Sequence, residues 1–268
     1  MNLIWTTDCH LNFLNDKQIK KFCNEILDYE PEGIVITGDI SEAPTIEIHM
    51  RMLEMYLQKP IFFICGNHDY YKGSIIDTRK MLKEKFNQNS TTKWLGNFPY
   101  ISLSKNVALV GHDGWYDGRY SDYFKSNLDL HDYHCIKELI GSFYYRVDQY
   151  ETIGKLAQES AWHVTKGIEK AFEKHNTVYV ATHVAPFIEN SRAPNGEISD
   201  KDWLPHFSSK YMGDAILNTM HKYNEEYKLI ILCGHNHTFW ESNPTNNVRC
   251  ITGQADYGKP QICGVFQI

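Results

Sequence analysis

Short apolar runs alternate with amphipathic stretches along the first hundred residues. Residues 2 to 7 read as a strand, Ile19, Phe22, Cys23, Ile26 and Leu27 recur at helical spacing, and Gly33 to Thr37 form a second apolar run. The rhythm repeats with Ile46, Met50, Leu53 and Leu57 on one helical face, the strand Ile61 to Cys65 and a helix near residues 75 to 87. Strands alternating with helices predict a parallel sheet covered by helices, hence an α/β fold. After residue 98 the pattern changes to a hairpin, Tyr100 to Leu103 and Val107 to Gly111 around Ser104-Lys105-Asn106, where a second sheet begins. A helix from about 152 to 174, a strand at 178 to 182 and a helix carrying Ile216, Met220, Tyr223 and Tyr227 follow. Strands at 229 to 233, 247 to 252 and 261 to 267 end the series. No repeat or low-complexity linker divides the chain, so one domain over residues 1–268 is expected. Segments 112–150, rich in aromatics, and 184–210, rich in Pro, Asn and Ser, fit neither pattern. The first is read as a cap or substrate-loop insertion.

Composition removes several classes. Among the 268 residues, 42% are hydrophobic and 13% aromatic, which excludes a disordered or collagen-like chain. The longest apolar runs fall far short of the ~20 residues of a membrane helix, and the chain opens on a strand rather than a secretion signal. Seven cysteines without a Cys-x-x-Cys pair fit buried free thiols in a reducing compartment, so a cytoplasmic protein is expected. A net charge of −6 disfavours long nucleic acid as a partner.

Thirteen histidines stand out, and five of them fall in four short segments that each follow an apolar strand. Asp8 and His10 follow the first strand, Asp39 the second, Asn67 and His68 the third, His183 the strand at 178, and His235 with His237 the strand at 229. In open α/β sheets ligands bind beyond the carboxyl ends of the strands, so these side chains are expected to converge on one rim. Singly, Asp-x-His or His-x-His is weak, and a lone histidine after a strand is usually a hydrogen-bonded loop residue. Together, Gly66-Asn67-His68-Asp69 and Gly234-His235-Asn236-His237 after strands of the right type are far from accidental. Leaving His68 aside, two carboxylates, one amide and four imidazoles are too many donors for one ion that keeps a water, and they suit two divalent ions bridged by a carboxylate. Without a thiolate, the set suits Mn, Fe, Zn or Co and does not choose among them.

The blocks Asp8-x-His10, Gly38-Asp39, Gly66-Asn67-His68-Asp69, Thr182-His183 and Gly234-His235-x-His237, in that order, resemble those of the calcineurin-like metallophosphoesterase superfamily and span most of the chain. The resemblance implies a four-layer α/β/β/α sandwich. It also implies one metal on Asp8, His10, Asp39 and His237 and a second on Asp39, Asn67, His183 and His235, with Asp39 bridging. His68 is then the proton donor facing the leaving-group oxygen, and Asp69 orients it. Hydroxide between two ions attacking a phosphate ester, with His68 protonating the departing alkoxide, supplies every role such a hydrolysis needs.

The protein Ser/Thr phosphatase branch continues Gly-Asp with Asp-Arg-Gly and ends its Gly-Asn-His block in Glu, whereas this chain has Ile40-Ser41-Glu42 and Asp69. The blocks are more similar to bacterial phosphodiesterases of cyclic nucleotides and other small organophosphates. A small phosphodiester is therefore the expected substrate. A phosphomonoesterase, a nuclease and a non-catalytic scaffold are the alternatives. Substrate contacts are assigned to His112, Trp115 with its neighbour Tyr116, Arg119 and Arg192, each of which has a structural reading as well: a turn, packing of the loop, or a solvated arginine. Cys9, between two ligands, is read as buried rather than ligating, and His49, His131, His134, His163, His175 and His221 as structural or surface residues.

Overall fold

Asn15 and Gln18 close a reciprocal capping box, each side chain taking the other's backbone N–H at 2.9–3.1 Å, and the stripe Ile19, Phe22, Cys23 and Ile26 behind it is buried. The first helix therefore starts at Asp16, where side-chain acceptors replace the missing intrahelical partners. The computed structural model describes residues 1–140 and 146–268. Its first half runs β1 (Asn2–Thr6), α1 (Asp16–Leu27), β2 (Gly33–Thr37), α2 (Ile46–Leu57), β3 (Ile61–Ile64), α3 (Ile75–Lys85) and β4 (Thr92–Trp94). Then come β5 (Ile101–Ser102), β6 (Val107–Gly111), α4 (Asp132–Cys135), α5 (Lys137–Ile140), α6 (Arg146–Ala171), β7 (Thr177–Ala181), α7 (Leu204–Phe207), α8 (Lys210–Met220), β8 (Lys228–Cys233), β9 (Trp240–Thr245), β10 (Val248–Thr252) and β11 (Gly264–Gln267).

The strands make two sheets, ordered β11-β1-β2-β3-β4 and β5-β6-β7-β8-β10-β9. Pairing is parallel from β1 to β4 and from β6 through β7 and β8 to β10, while β11, β5 and β9 lie antiparallel at edges. The near-continuous apolar sequences of β2, β3 and β6 follow from burial on both faces. One core layer packs α1, α2 and α3 on the first sheet. A second, with Leu3, Trp5, Val35, Ile64, Leu109 and Leu232, fills the space between the sheets, and a third packs α6 and α8 on the second sheet. The architecture is thus the expected α/β/β/α sandwich, and it brings two sets of strand carboxyl ends to one rim.

Three elements differ from the sequence reading. β4 and β9 were not expected: the first is three residues long, and the second is a polar edge strand containing Pro244. Helix α6 starts at Arg146, so the 112–150 segment is not one long loop; it also contains α4 and α5. Phe143, Tyr144 and Tyr145 of that segment lie outside the described residues. All seven cysteines are free, and Cys9 is buried with Sγ 3.3 Å from the Thr6 hydroxyl. No helix among the described residues is long and apolar enough to cross a membrane.

Candidate metal centre

Backbone hydrogen bonds lock the loops that leave the strands. The N–H groups of Asp8 and His10 donate to the carbonyls of Gly38 and Asp39, and Gly234 N–H donates to His183 O, all at 2.9–3.0 Å. Asp8, His10, Asp39, His235 and His237 all adopt the left-handed region, with φ between 42° and 69°. Residues with a Cβ rarely do so, and such strain gathers where the surroundings fix a side chain's direction for function. The glycines opening two of the blocks are there for room. A Cβ on Gly66 would collide with the Asp39 carboxylate and the His183 ring, and one on Gly234 with the Asp8 carboxylate.

Two nests of donors result. In the first, one ligand atom from each of Asp8, His10, Asp39 and His237 lies within 4.8 Å of the others. His237 Nε2 is 3.2 Å from Asp8 Oδ1 and 3.4 Å from His10 Nε2. In the second, Asn67 Oδ1 sits 3.1 Å from both His183 Nε2 and His235 Nδ1, and His183 Nε2 is 3.3 Å from Asp39 Oδ1. Asp39 belongs to both. All of these side chains are buried except that of His237, which is 22% exposed.

The donor chemistry fits cations. His183 Nδ1 donates to Thr37 O at 2.9 Å and His235 Nε2 to His206 O at 3.0 Å, which turns the other nitrogen of each ring inward, where a cation displacing its proton would find a lone pair. Burial holds His10 and His235 down near pKa 4, so both rings are neutral. Burial opposes protonation of His183 and His237 too, but the charge of Asp39 raises the first to about 10, and the hydrogen bond to Asp8 raises the second. His10 Nδ1, buried, has no hydrogen-bond partner among the described residues. Two buried carboxylates and converging imidazole nitrogens form a set able to hold a metal ion.

His68 stands at the edge of this cluster, 19% exposed, with Nε2 3.8 Å from Asp39 Oδ2 and its ring stacked on Tyr71 at 4.2 Å. Asp69 does not orient it through a described hydrogen bond. Its two oxygens accept the N–H groups of Ile40, Ser41 and Gly66 at 2.7–2.9 Å, so the carboxylate ties the loop after β2 to the loop after β3. That strut sets Asp39 against Asn67 and His68.

Of the four substrate candidates, one lines the site. Two grooves meet over the nests, sharing Phe207, His235, His237 and Tyr257. One, of about 300 Å³, reaches Asp39, Asn67, His68 and His131, and the other, of about 440 Å³, is bordered by Arg192 and Trp203. Trp115 and Tyr116 are buried, 1% and 0% exposed, because they join the core together with Tyr123 and Tyr133. His112 is buried against His163, centroids 5.0 Å apart, and burial pushes it down to about pKa 3. The guanidinium of Arg119 lies 4.2 Å over the Tyr211 ring, away from both grooves. His131, read as structural, is a groove residue.

Three contributors were missed. Asp132, at the start of α4 and 1% exposed, accepts from Asn67 Nδ2 at 2.8 Å, from Tyr71 at 2.5 Å and from Tyr116 at 2.8 Å. The amide of Asn67 is thereby oriented with its oxygen toward His183 and His235. His206 supplies the carbonyl that fixes His235. Tyr257 packs on His10 and His237 at 4.4 and 5.0 Å and walls both grooves. No sequence signal marks these three, since each acts through a partner distant in the chain.

Residues 1–239 match the family model described as calcineurin-like phosphoesterase. No curated protein sequence matches the chain. Among solved structures, a phosphopantetheinyl hydrolase from Mycobacterium tuberculosis is similar with a TM-score of 0.66 at 12% identity, covering 96% of this chain and 89% of that one. A dimetal phosphatase from Danio rerio gives 0.59 at 12% identity, with 95% and 87% covered. A structure described as the anchor in the inner membrane complex of Plasmodium gives 0.50 at 14% identity, with 99% and 77% covered. At these identities the likeness is one of fold.

Proposed function

Because the chain belongs to the calcineurin-like phosphoesterase family, we propose that it hydrolyses a small phosphate ester, a phosphodiester in preference to a monoester, using two divalent ions. The observation that carries the reading is the pair of donor nests sharing Asp39. Asp8, His10, Asp39 and His237 would hold one ion, and Asp39, Asn67, His183 and His235 the other. Bound there, divalent ions supply Lewis-acid polarisation of the phosphoryl oxygens and a strong nucleophile at neutral pH. The chain does the rest. Asp39 fixes the spacing of the nests, the rings of His183 and His235 are oriented by Thr37 O and His206 O, and His68 Nε2 delivers a proton to the departing alkoxide from the open side.

Diester preference rests on charge. Among the residues lining the two grooves, Arg192 is the one lysine or arginine, while Asp129, Asp132 and Asp200 are acidic. A diester carries one less negative charge than a monoester dianion and needs fewer cationic clamps. Assay of phosphodiesters, phosphomonoesters and cyclic nucleotides with Mn²⁺, Fe²⁺, Zn²⁺ or Co²⁺ tests the function. The kcat/KM for bis-p-nitrophenyl phosphate is expected to exceed that for p-nitrophenyl phosphate several-fold at matched pH and metal, and the reverse order would make the protein a phosphatase. A silent panel with metals bound would favour the scaffold alternative.

Asp132 gives a second expected outcome. Asp132→Ala frees the Asn67 amide to rotate, and loss of such an outer partner typically costs about 10–100-fold in metal affinity or activity. Asp132→Asn keeps an acceptor for Asn67 Nδ2 and should lose less. Calorimetric metal titration of the two variants makes the comparison, and equal affinities for both and for the parent protein would leave Asp132 with a packing role.

A further inference from the structure

The two grooves are chemically different. The smaller contains His68, whereas the larger, which shares Phe207, His235, His237 and Tyr257 with it, is otherwise lined by different groups, among them Arg192, Trp203 and Asn236. In-line displacement puts the leaving oxygen opposite the nucleophile and next to its proton donor. The leaving arm of a diester therefore occupies the His68 groove. The arm that stays on phosphorus has the other one.

That larger groove carries specific recognition features. Asn236 is 8% exposed, and its Nδ2 donates to Asn190 O at 2.9 Å, which fixes Oδ1 as an acceptor. Oδ1 is buried and has no hydrogen-bond partner among the described residues. Asn236 borders the groove, so an occupant that carries a donor can satisfy this acceptor once the side chain turns toward it. Trp203 is 42% exposed and meets Phe207 edge-on at 5.0 Å, so the wall offers aromatic faces. Arg192 is braced on the Trp240 ring at 3.8 Å and by the carbonyls of Glu189 and Gly196, which sets the outer wall rigidly.

Building on the phosphodiester reading, we infer that this groove is the subsite for the retained ester arm, and that it selects an arm with a planar aromatic group and a hydroxyl or N–H donor. Specificity then resides in the phosphomonoester product rather than in the alcohol released.

The test holds the leaving group constant. p-Nitrophenyl phosphodiesters whose retained arm is methyl, phenyl or thymidine-5′-yl are compared for the parent protein, Trp203→Ala and Asn236→Ala. The expected kcat/KM order is methyl, phenyl, thymidine, with about tenfold between the ends, the scale of stacking on an aromatic face. Trp203→Ala should cut the phenyl-to-methyl ratio, and Asn236→Ala the thymidine-to-phenyl ratio. Equal rates for the three arms, or variants that lower all three alike, would overturn the assignment. Titration of the metal-loaded protein with thymidine 5′-monophosphate, followed by tryptophan fluorescence and calorimetry, reads the groove without turnover. Binding several-fold weaker in Trp203→Ala supports the subsite, and unchanged binding rejects it. A protein that binds the nucleotide through Trp203 yet cleaves none of the diesters would overturn the hydrolase reading while keeping the groove's preference.

Discussion

Asp39→Ala is expected to lower kcat by about a thousandfold or more and to lower metal content as well, from two ions per chain toward one or none. The carboxylate is the one donor common to both nests, with Oδ1 3.3 Å from His183 and Oδ2 3.8 Å from His10. On the two-ion reading its removal would take a ligand from each ion and the charge that offsets both, so metal positioning and transition-state stabilisation would fail together. Asp39→Asn keeps the shape and the acceptor for the His68 N–H, which donates to Oδ1 at 2.9 Å, and so separates loss of charge from collapse of the loop. Elemental analysis after reconstitution, beside single-turnover rates, makes the measurement. Saturation at one ion in the parent protein, with affinity unchanged in Asp39→Ala, would remove the bridging role.

His68→Ala should cost about 10²- to 10⁴-fold in turnover, the usual range for a positioned general acid, with both ions retained. The ring is held by its stack on Tyr71 and by its backbone bond to Asp39, and although its imidazole lies 3.8 Å from Asp39 Oδ2 and edge-on to His10 at 4.8 Å, it supplies no donor to the first nest. The loss should depend on the leaving group. A p-nitrophenolate departs without a proton and an alkoxide does not, so p-nitrophenyl esters should suffer least. Equal losses for p-nitrophenyl and alkyl esters, or metal content that drops with His68, would assign the residue to structure instead.

The donor set was legible because each member follows a strand whose apolar run marks its end, and the fold of parallel strands brings such ends together. Asp8, Asp39, Asn67, His183 and His235 could thus be placed on one rim before any geometry was known. The supporting residues were not legible. Asp132 acts on Asn67 across 65 positions, and His206 on His235 across 29, through contacts that only tertiary packing creates. Trp115 and Tyr116 were misread for a related reason: aromatic residues in an irregular stretch look alike whether they face a ligand or the core, and here burial won. Asp69 was paired with its neighbour His68, but the backbone amides of two loops compete for the same oxygens and take them. Edge strand β9, polar and interrupted by Pro244, has too weak a period to register.

The division of donors between the sheets has a mechanical consequence. Asp8, His10, Asp39 and Asn67 arrive on strands of the first sheet, and His183, His235 and His237 on strands of the second. Neither half of the polypeptide holds a complete nest. An ion held in either nest would therefore act as a rivet across the seam between the halves, and its full ligand set would form only when that seam has closed. Such rivets would brace the rim against the halves parting, and a chelator is expected to loosen it there first.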